Sequence, residues 1–331
     1  MSLRADAHTV LLPAIDDLTL TDPLMRFLDR GGRALLLGET RAEYVARRMS
    51  SVREAHETAA DIHALTDRIA RHAGPALVAL DQEPAGICRL HALVPHLPEN
   101  LHAAPSDQIE RAAFQMARAA RDLGVTMFLS PVIDVVTGHN PWLRGRTLGT
   151  DAVEVARIAA AYIRGVEAAG VVATAKHFPG HHDIDGDPAV EIATVGGGLA
   201  ELCPGMIPFR AAIAAGARAV MTGPALVPAM DPELPSSLSA ATIGALRDLG
   251  FAGLVVSDDL DAIGTLRGQR DVPTAAVQAL CAGSDLLLLS AANDLEQVCT
   301  RILSAVADGS LPEARLTQAA ARVRALADSM G

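Results

Sequence analysis

With 331 residues, half of them apolar and a fifth charged, the chain can form one large domain or two ordinary ones, and the composition excludes a disordered or low-complexity polymer. A formal net charge of −11 and a pI near 5.4 argue against nucleic acid or an anionic membrane surface as partner. No apolar run approaches the roughly 18 residues of a membrane span, and the opening MSLRADAHTV lacks the apolar core of a signal peptide, so a cytoplasmic protein is expected. Cys88, Cys203, Cys281 and Cys299 are scattered without metal-ligand spacing and read as reduced thiols.

Short apolar runs alternate with stretches of helical period along the whole chain. The predicted strands are 8–15, 32–39, 75–83, 126–134, 171–179, 218–226, 253–260 and 285–291. Each is nearly continuous in apolar character, as expected of parallel strands covered on both faces. Between them lie amphipathic segments such as 109–124 and 152–170. Eight strands alternating with helices predict an α/β fold, a TIM (β/α)8-type barrel formed as a single domain over 1–331. An open doubly wound sheet would usually carry a glycine-rich phosphate turn after its first strand, and PAIDDLTL has none.

In such barrels the chemistry sits at the C-terminal ends of the strands. Strand three exits through Asp81-Gln82-Glu83, strand four through Asp134, strand five through Lys176-His177 and His181-His182-Asp183, and strand seven through Ser257-Asp258-Asp259, with Arg89 and Arg146 in nearby loops. So many charges at one rim of an apolar barrel must be solvated or paired, which points to a polar, hydroxyl-rich or anionic small molecule. Competing structural readings apply to several of them. Asp258 fits a helix N-cap equally well, and Trp142 reads as a loop anchor more readily than a sugar platform. The acidic run 183–187 has a misplaced glycine for a calcium loop, and a zinc site from His177, His181 and His182 lacks the helical spacing of metalloproteases. No metal or cofactor is expected.

KHFPGH at 176–181 followed by SDDL at 257–260 resembles the bacterial β-N-acetylhexosaminidases of glycoside hydrolase family 3, single-barrel enzymes that release N-acetylglucosamine from peptidoglycan fragments. LDQE (80–83), SPVIDV (130–135), GRTLG (145–149) and DPELPSSLS (231–239) extend the resemblance over almost the whole chain. It implies that Asp258 is the nucleophile of a retaining mechanism through a glycosyl-enzyme. It also implies that Asp81, Arg89, Arg146, Lys176 and His177 bind the non-reducing sugar through its hydroxyls, with His181 beside them. The expected partner is a small carbohydrate, bound by a monomer or small homo-oligomer.

Three positions depart from that pattern. The family's Asp-Ser-His triplet, whose histidine is the general acid/base, is Asp187-Pro188-Ala189 here, and alanine transfers no proton. The glycine-rich turn after the strand-three acid is Pro84-Ala85-Gly86, and a histidine common after strand six corresponds to Pro224. Two functional expectations follow. In one, the chain is an active glycosidase whose acid/base has moved to Asp187 or Glu191, carboxyls being the usual donors in other glycosidases. In the other, it is an impaired homologue that binds an N-acetyl sugar.

Overall fold

The computed structural model describes residues 2–331 and contains eight parallel strands in one sheet: β1 (Leu11–Ile15), β2 (Ala34–Leu37), β3 (Leu77–Leu80), β4 (Met127–Phe128), β5 (Val172–Phe178), β6 (Ala219–Thr222), β7 (Leu254–Val256) and β8 (Leu287–Ser290). Consecutive strands pair, β1 also pairs with β8, and a bridge between Val256 and Leu286 brings β7 to β8. The ring is the TIM-like barrel that the alternation predicts. Each expected strand is present within its predicted window.

The strands read as unbroken apolar runs because both of their faces are covered, yet the two faces serve different layers. Leu35, Leu37, Val78, Leu80, Phe128, Val220 and Val255 pack outward against the helices. Their alternates Ala34, Leu36, Leu77, Ala79, Met127, Ala219, Met221 and Leu254 fill the barrel interior. Val323 and Ala327 of the C-terminal helix Glu313–Asp328 join the interior cluster. Leu36, Leu129, Met221 and Leu288 of the same cluster line the floor of a cavity at the opposite mouth.

Two boundaries differ from the sequence reading. Residues 8 and 9 end a helix, Leu3–Thr9, capped by Ser2, instead of starting β1; the Thr9 hydroxyl donates to the carbonyl of Ala5 at 2.8 Å. The run after Phe128 leaves the regular ladder, although Leu129 N still donates to Leu80 O at 2.9 Å and Ile133 N to Lys176 O at 2.7 Å. No helix among the described residues is long and apolar enough to cross a membrane.

The helices Ser106–Asp122 and Ala152–Ala168 correspond to the predicted amphipathic segments and pack against each other at Gly165. A Cβ added there would stand 2.3 Å from the carbonyl oxygen of Glu110 and 2.8 Å from Ala113 Cβ. Gly165→Val should therefore overpack the contact and cost roughly 1–3 kcal/mol or more, read as a lower Tm by calorimetry with the far-ultraviolet spectrum retained.

Candidate active site

The cavity at the C-terminal mouth of the barrel encloses about 600 Å³ and is walled by side chains from the exits of β1, β2, β3, β5, β7 and β8 and from the loop after β4. On one side stand four charges in a chain. Lys176, at the end of β5, contacts Asp81 Oδ1, and its Nζ lies 3.1 Å from Glu83 Oε1. Arg146 donates from Nη2 to Glu83 Oε1 at 2.6 Å and from Nε to both oxygens of the same carboxylate. Two cations thus balance two carboxylates in a site where Glu83, Lys176 and Arg146 are all buried. Burial pushes the Glu83 carboxyl up, but Arg146 and Lys176 outweigh it and hold the group at about 2. Burial opposes the charge of Lys176 too, and Asp81 and Glu83 overcome it to raise the ammonium above its ordinary value.

Across the cavity, Asp258 follows β7. Its backbone N–H donates to Ser237 Oγ at 3.0 Å, and its Oδ1 accepts from Asp259 N at 2.7 Å. Its Oδ2 has no hydrogen-bond partner and lies 3.8 Å from His177 Nε2. The next helix, Ile263–Leu266, is preceded by Ala262, so Asp258 caps no helix. His177 is held from behind by Asp134. That buried carboxylate accepts from the backbone N–H groups of His177 (2.9 Å) and His181 (2.7 Å), and from the Nδ1 of each ring at 2.9 and 3.0 Å. Burial alone would raise Asp134, but the two histidines pull it far below the usual carboxylate range. Burial lowers the His177 imidazole, so it is neutral near pH 7; with its Nδ1–H given to Asp134, its Nε2 is an acceptor facing the cavity.

Against known proteins, a model of the glycosyl hydrolase family 3 N-terminal domain matches residues 42–326. A β-hexosaminidase of Xylella fastidiosa is 36% identical over 227 residues, which span 65% of this chain and 67% of that protein. Among solved structures, a glycoside hydrolase family 3 β-N-acetylglucosaminidase from Paenibacillus matches with a TM-score of 0.88 at 29% identity, over 100% of this chain and 63% of that one. A family member from Mycobacterium smegmatis matches with 0.82 at 28% identity, over 98% and 97%. The chain belongs to glycosyl hydrolase family 3.

Within this family 3 hydrolase the cavity gathers Asp81, Arg146, Lys176, His177 and Asp258 in one wall system. Four other expected site residues lie outside it. Arg89 is fully buried and saturated elsewhere: its Nε donates to Gly38 O at 2.7 Å, and its two terminal nitrogens pair with Glu57, at 2.9 Å for Nη2. It clamps the backbone of the wall residue Gly38 from behind and does not itself line the cavity. His181 is also fully buried, with its Nδ1 bound to Asp134 and its ring edge-on to Trp142. Asp187 accepts from Ala189 N at 3.0 Å and turns its other oxygen to Arg47, 3.6 Å away. Glu191 is exposed and accepts from Asp187 N at 3.0 Å. Of that loop, Ala189 faces the cavity.

Further residues shape the site or its surroundings with little or no sequence signal for that role. Trp142 lines the cavity, its ring centroid 4.4 Å from that of His177 and its Nε1 donating to Tyr44 Oη at 2.8 Å. Asp134 stood in the SPVIDV motif, but its grip on two histidines comes from β4 and β5 lying side by side. Glu39 had no motif at all. His182 is absent from the one tight group of potential metal ligands among the described residues, Asp134, His177 and His181, and there the aspartate oxygens already take four N–H donors.

Removing one member of the buried charge chain exposes its dependence on balance. Arg146→Met leaves Glu83 buried against Lys176 alone and should lower stability by about 3–5 kcal/mol. Glu83→Gln combined with Arg146→Met should recover part of that loss, a coupling that a double-mutant cycle in denaturant measures.

Proposed function

We propose that this family 3 hydrolase is a retaining glycosidase of the β-N-acetylglucosaminidase type, acting on a small amino-sugar glycoside with Asp258 as nucleophile. The observation that carries the reading is the free Oδ2 of Asp258, which stands at the mouth of a closed barrel and shares a cavity with the Asp81–Lys176–Glu83–Arg146 charge chain. Asp81 and Lys176 hold the ring hydroxyls, and His177 Nε2 accepts from a hydroxyl or amide N–H near Asp258. Asp258 attacks the anomeric carbon as the bond to the leaving oxygen breaks, giving a glycosyl-enzyme that water then hydrolyses. Ser237, from the 231–239 segment, fixes the Asp258 backbone, so the attacking oxygen is held in place before the sugar arrives. The names of the family 3 relatives agree with the substrate class.

Ala189 favours a second element of the reading. The triplet that would supply the proton presents a methyl group to the cavity, while Asp187 and Glu191 bond outside it. Positioned acid/base catalysis is worth about 10²–10⁴-fold. Cleavage should accordingly depend steeply on the leaving group, and toward natural glycosides the protein acts mainly as a sugar binder.

Incubation with an activated fluoro-sugar donor should leave a covalent glycosyl adduct on the peptide containing Ser257-Asp258-Asp259, seen by mass spectrometry. Asp258→Asn should abolish it; an adduct elsewhere, or none, overturns the nucleophile. Rebuilding the triplet as Pro188→Ser with Ala189→His should raise hydrolysis of an unactivated disaccharide by at least about tenfold, with little change for an aryl glycoside. An unchanged disaccharide rate would reject the missing-acid explanation.

A further inference from the structure

Glu39 follows β2, and its backbone is fixed on both sides. Gly38 N donates to Ile15 O at 2.8 Å, Gly38 O accepts from Arg89 Nε, and Thr40 opens the helix Arg41–Ala46 through a capping box with Glu43. The side chain lines the cavity, and its Oε2 is buried without a hydrogen-bond partner. Asp81 and Glu83 from the exit of β3, Arg146 from the loop after β4 and Lys176 from β5 are the charges that act on it. Asp16, Asp17, Arg41, Tyr44, His177, Asp258 and Asp259 complete the titratable lining of the cavity. Because Lys176 and Arg146 are already matched to Asp81 and Glu83, Glu39 is a third carboxyl with no cation of its own.

We propose that Glu39 is a substrate-binding residue, presenting its unpartnered oxygen to a hydroxyl of the sugar that Asp81 and Lys176 grip. The assignment rests on the sugar-binding reading above and adds a contact that no motif carries. A buried polar atom without a partner is costly, and a ring hydroxyl entering the cavity satisfies it. Burial, reinforced by repulsion from Asp81, holds the carboxyl at about 8, so near neutral pH it is an acid that donates its proton to the hydroxyl oxygen. The sign follows: sugar affinity is full below that value and falls as pH rises through it, because ionisation removes the donor and leaves an unmatched carboxylate in the wall.

The test is titration of N-acetylglucosamine by calorimetry from about pH 6 to 9.5, beside kcat and KM for an aryl N-acetylglucosaminide. Wild type should show an alkaline loss of affinity centred near pH 8. Glu39→Gln, which keeps one donor and one acceptor, should match wild type at pH 7 and lose the alkaline limb. Glu39→Ala should bind roughly tenfold more weakly at pH 7. The proposal is overturned if the limb survives in Glu39→Gln, or if Glu39→Ala binds as wild type does. It is equally overturned if the deficit falls on kcat for poor leaving groups alone, which marks a proton donor, or if glucosamine outcompetes N-acetylglucosamine in a Glu39-dependent way, which marks an ionised partner for an amine. Fluoro-sugar labelling of Asp258 in Glu39→Ala separates the two readings: a label with unchanged sugar binding rejects only the role of Glu39, whereas a wild type that neither binds the sugar nor takes the label rejects the glycosidase assignment as well.

Discussion

The site depends on matching buried charge. Lys176 and Arg146 are withdrawn from water at the mouth of an apolar barrel, and Asp81 and Glu83 keep them ionised. Replacing such an arrangement with apolar side chains is often neutral or stabilising, so stability does not explain it. Its physical consequence is preorganisation. Each cation is fixed by a carboxylate from a neighbouring strand exit, and donors and acceptors face the cavity at set positions before any ligand enters, which limits the ordering cost of binding. Beside this balanced set, burial and then repulsion from Asp81 raise the carboxyl of Glu39 to about 8.

The same logic organises the other wall. Asp134 gathers four N–H groups from the stretch between His177 and His181, and so fixes both the turn after β5 and the tautomer of the imidazole that faces Asp258. Ser237 does the equivalent for Asp258: its hydroxyl donates to Gly223 O at 3.0 Å and accepts the Asp258 backbone N–H, tying the exits of β6 and β7 together. Groups far apart in sequence are therefore set by neighbours across the barrel mouth, and the parallel order of the strands decides which neighbours those are.

The strands were legible because a parallel strand covered on both faces must be apolar throughout, and the rim was legible because a charge ending such a strand has few other destinations. Asp81, Lys176, His177 and Asp258 all reach the cavity for that reason. Side-chain direction within loops was not legible. The resemblance implies sugar binding for Arg89, yet Glu57, from the segment after Ser51–His56, draws its guanidinium under Gly38. Asp187 turns to Arg47, a residue 140 positions earlier whose placement depends on the packing of Tyr44 and Trp142. Glu39 is one acid after one apolar run, and its backbone is fixed by the clamp on Gly38 and the capping box that Thr40 opens. In each case the deciding contact is tertiary, and neither period nor motif spacing encodes it.

The loop bearing Ala189 is held in place by contacts of its own. Pro188 O accepts from Gly264 N at 2.8 Å, and the pair packs so closely that a Cβ at Gly264 would stand 2.7 Å from Pro188 Cβ. Further along, Val195 N donates to Leu226 O at 2.8 Å. The loop is pinned to the barrel at both ends, so position 189 still faces the cavity although the side chain there cannot move a proton. Asp187 is engaged by Arg47 and by Ala189 N. On the proposed chemistry, sugar binding and the approach of Asp258 are untouched, and the added barrier falls on departure of the leaving oxygen. Selectivity then follows the acidity of the leaving group more than the shape of the aglycone, because only an alcohol that departs readily without a proton escapes that barrier.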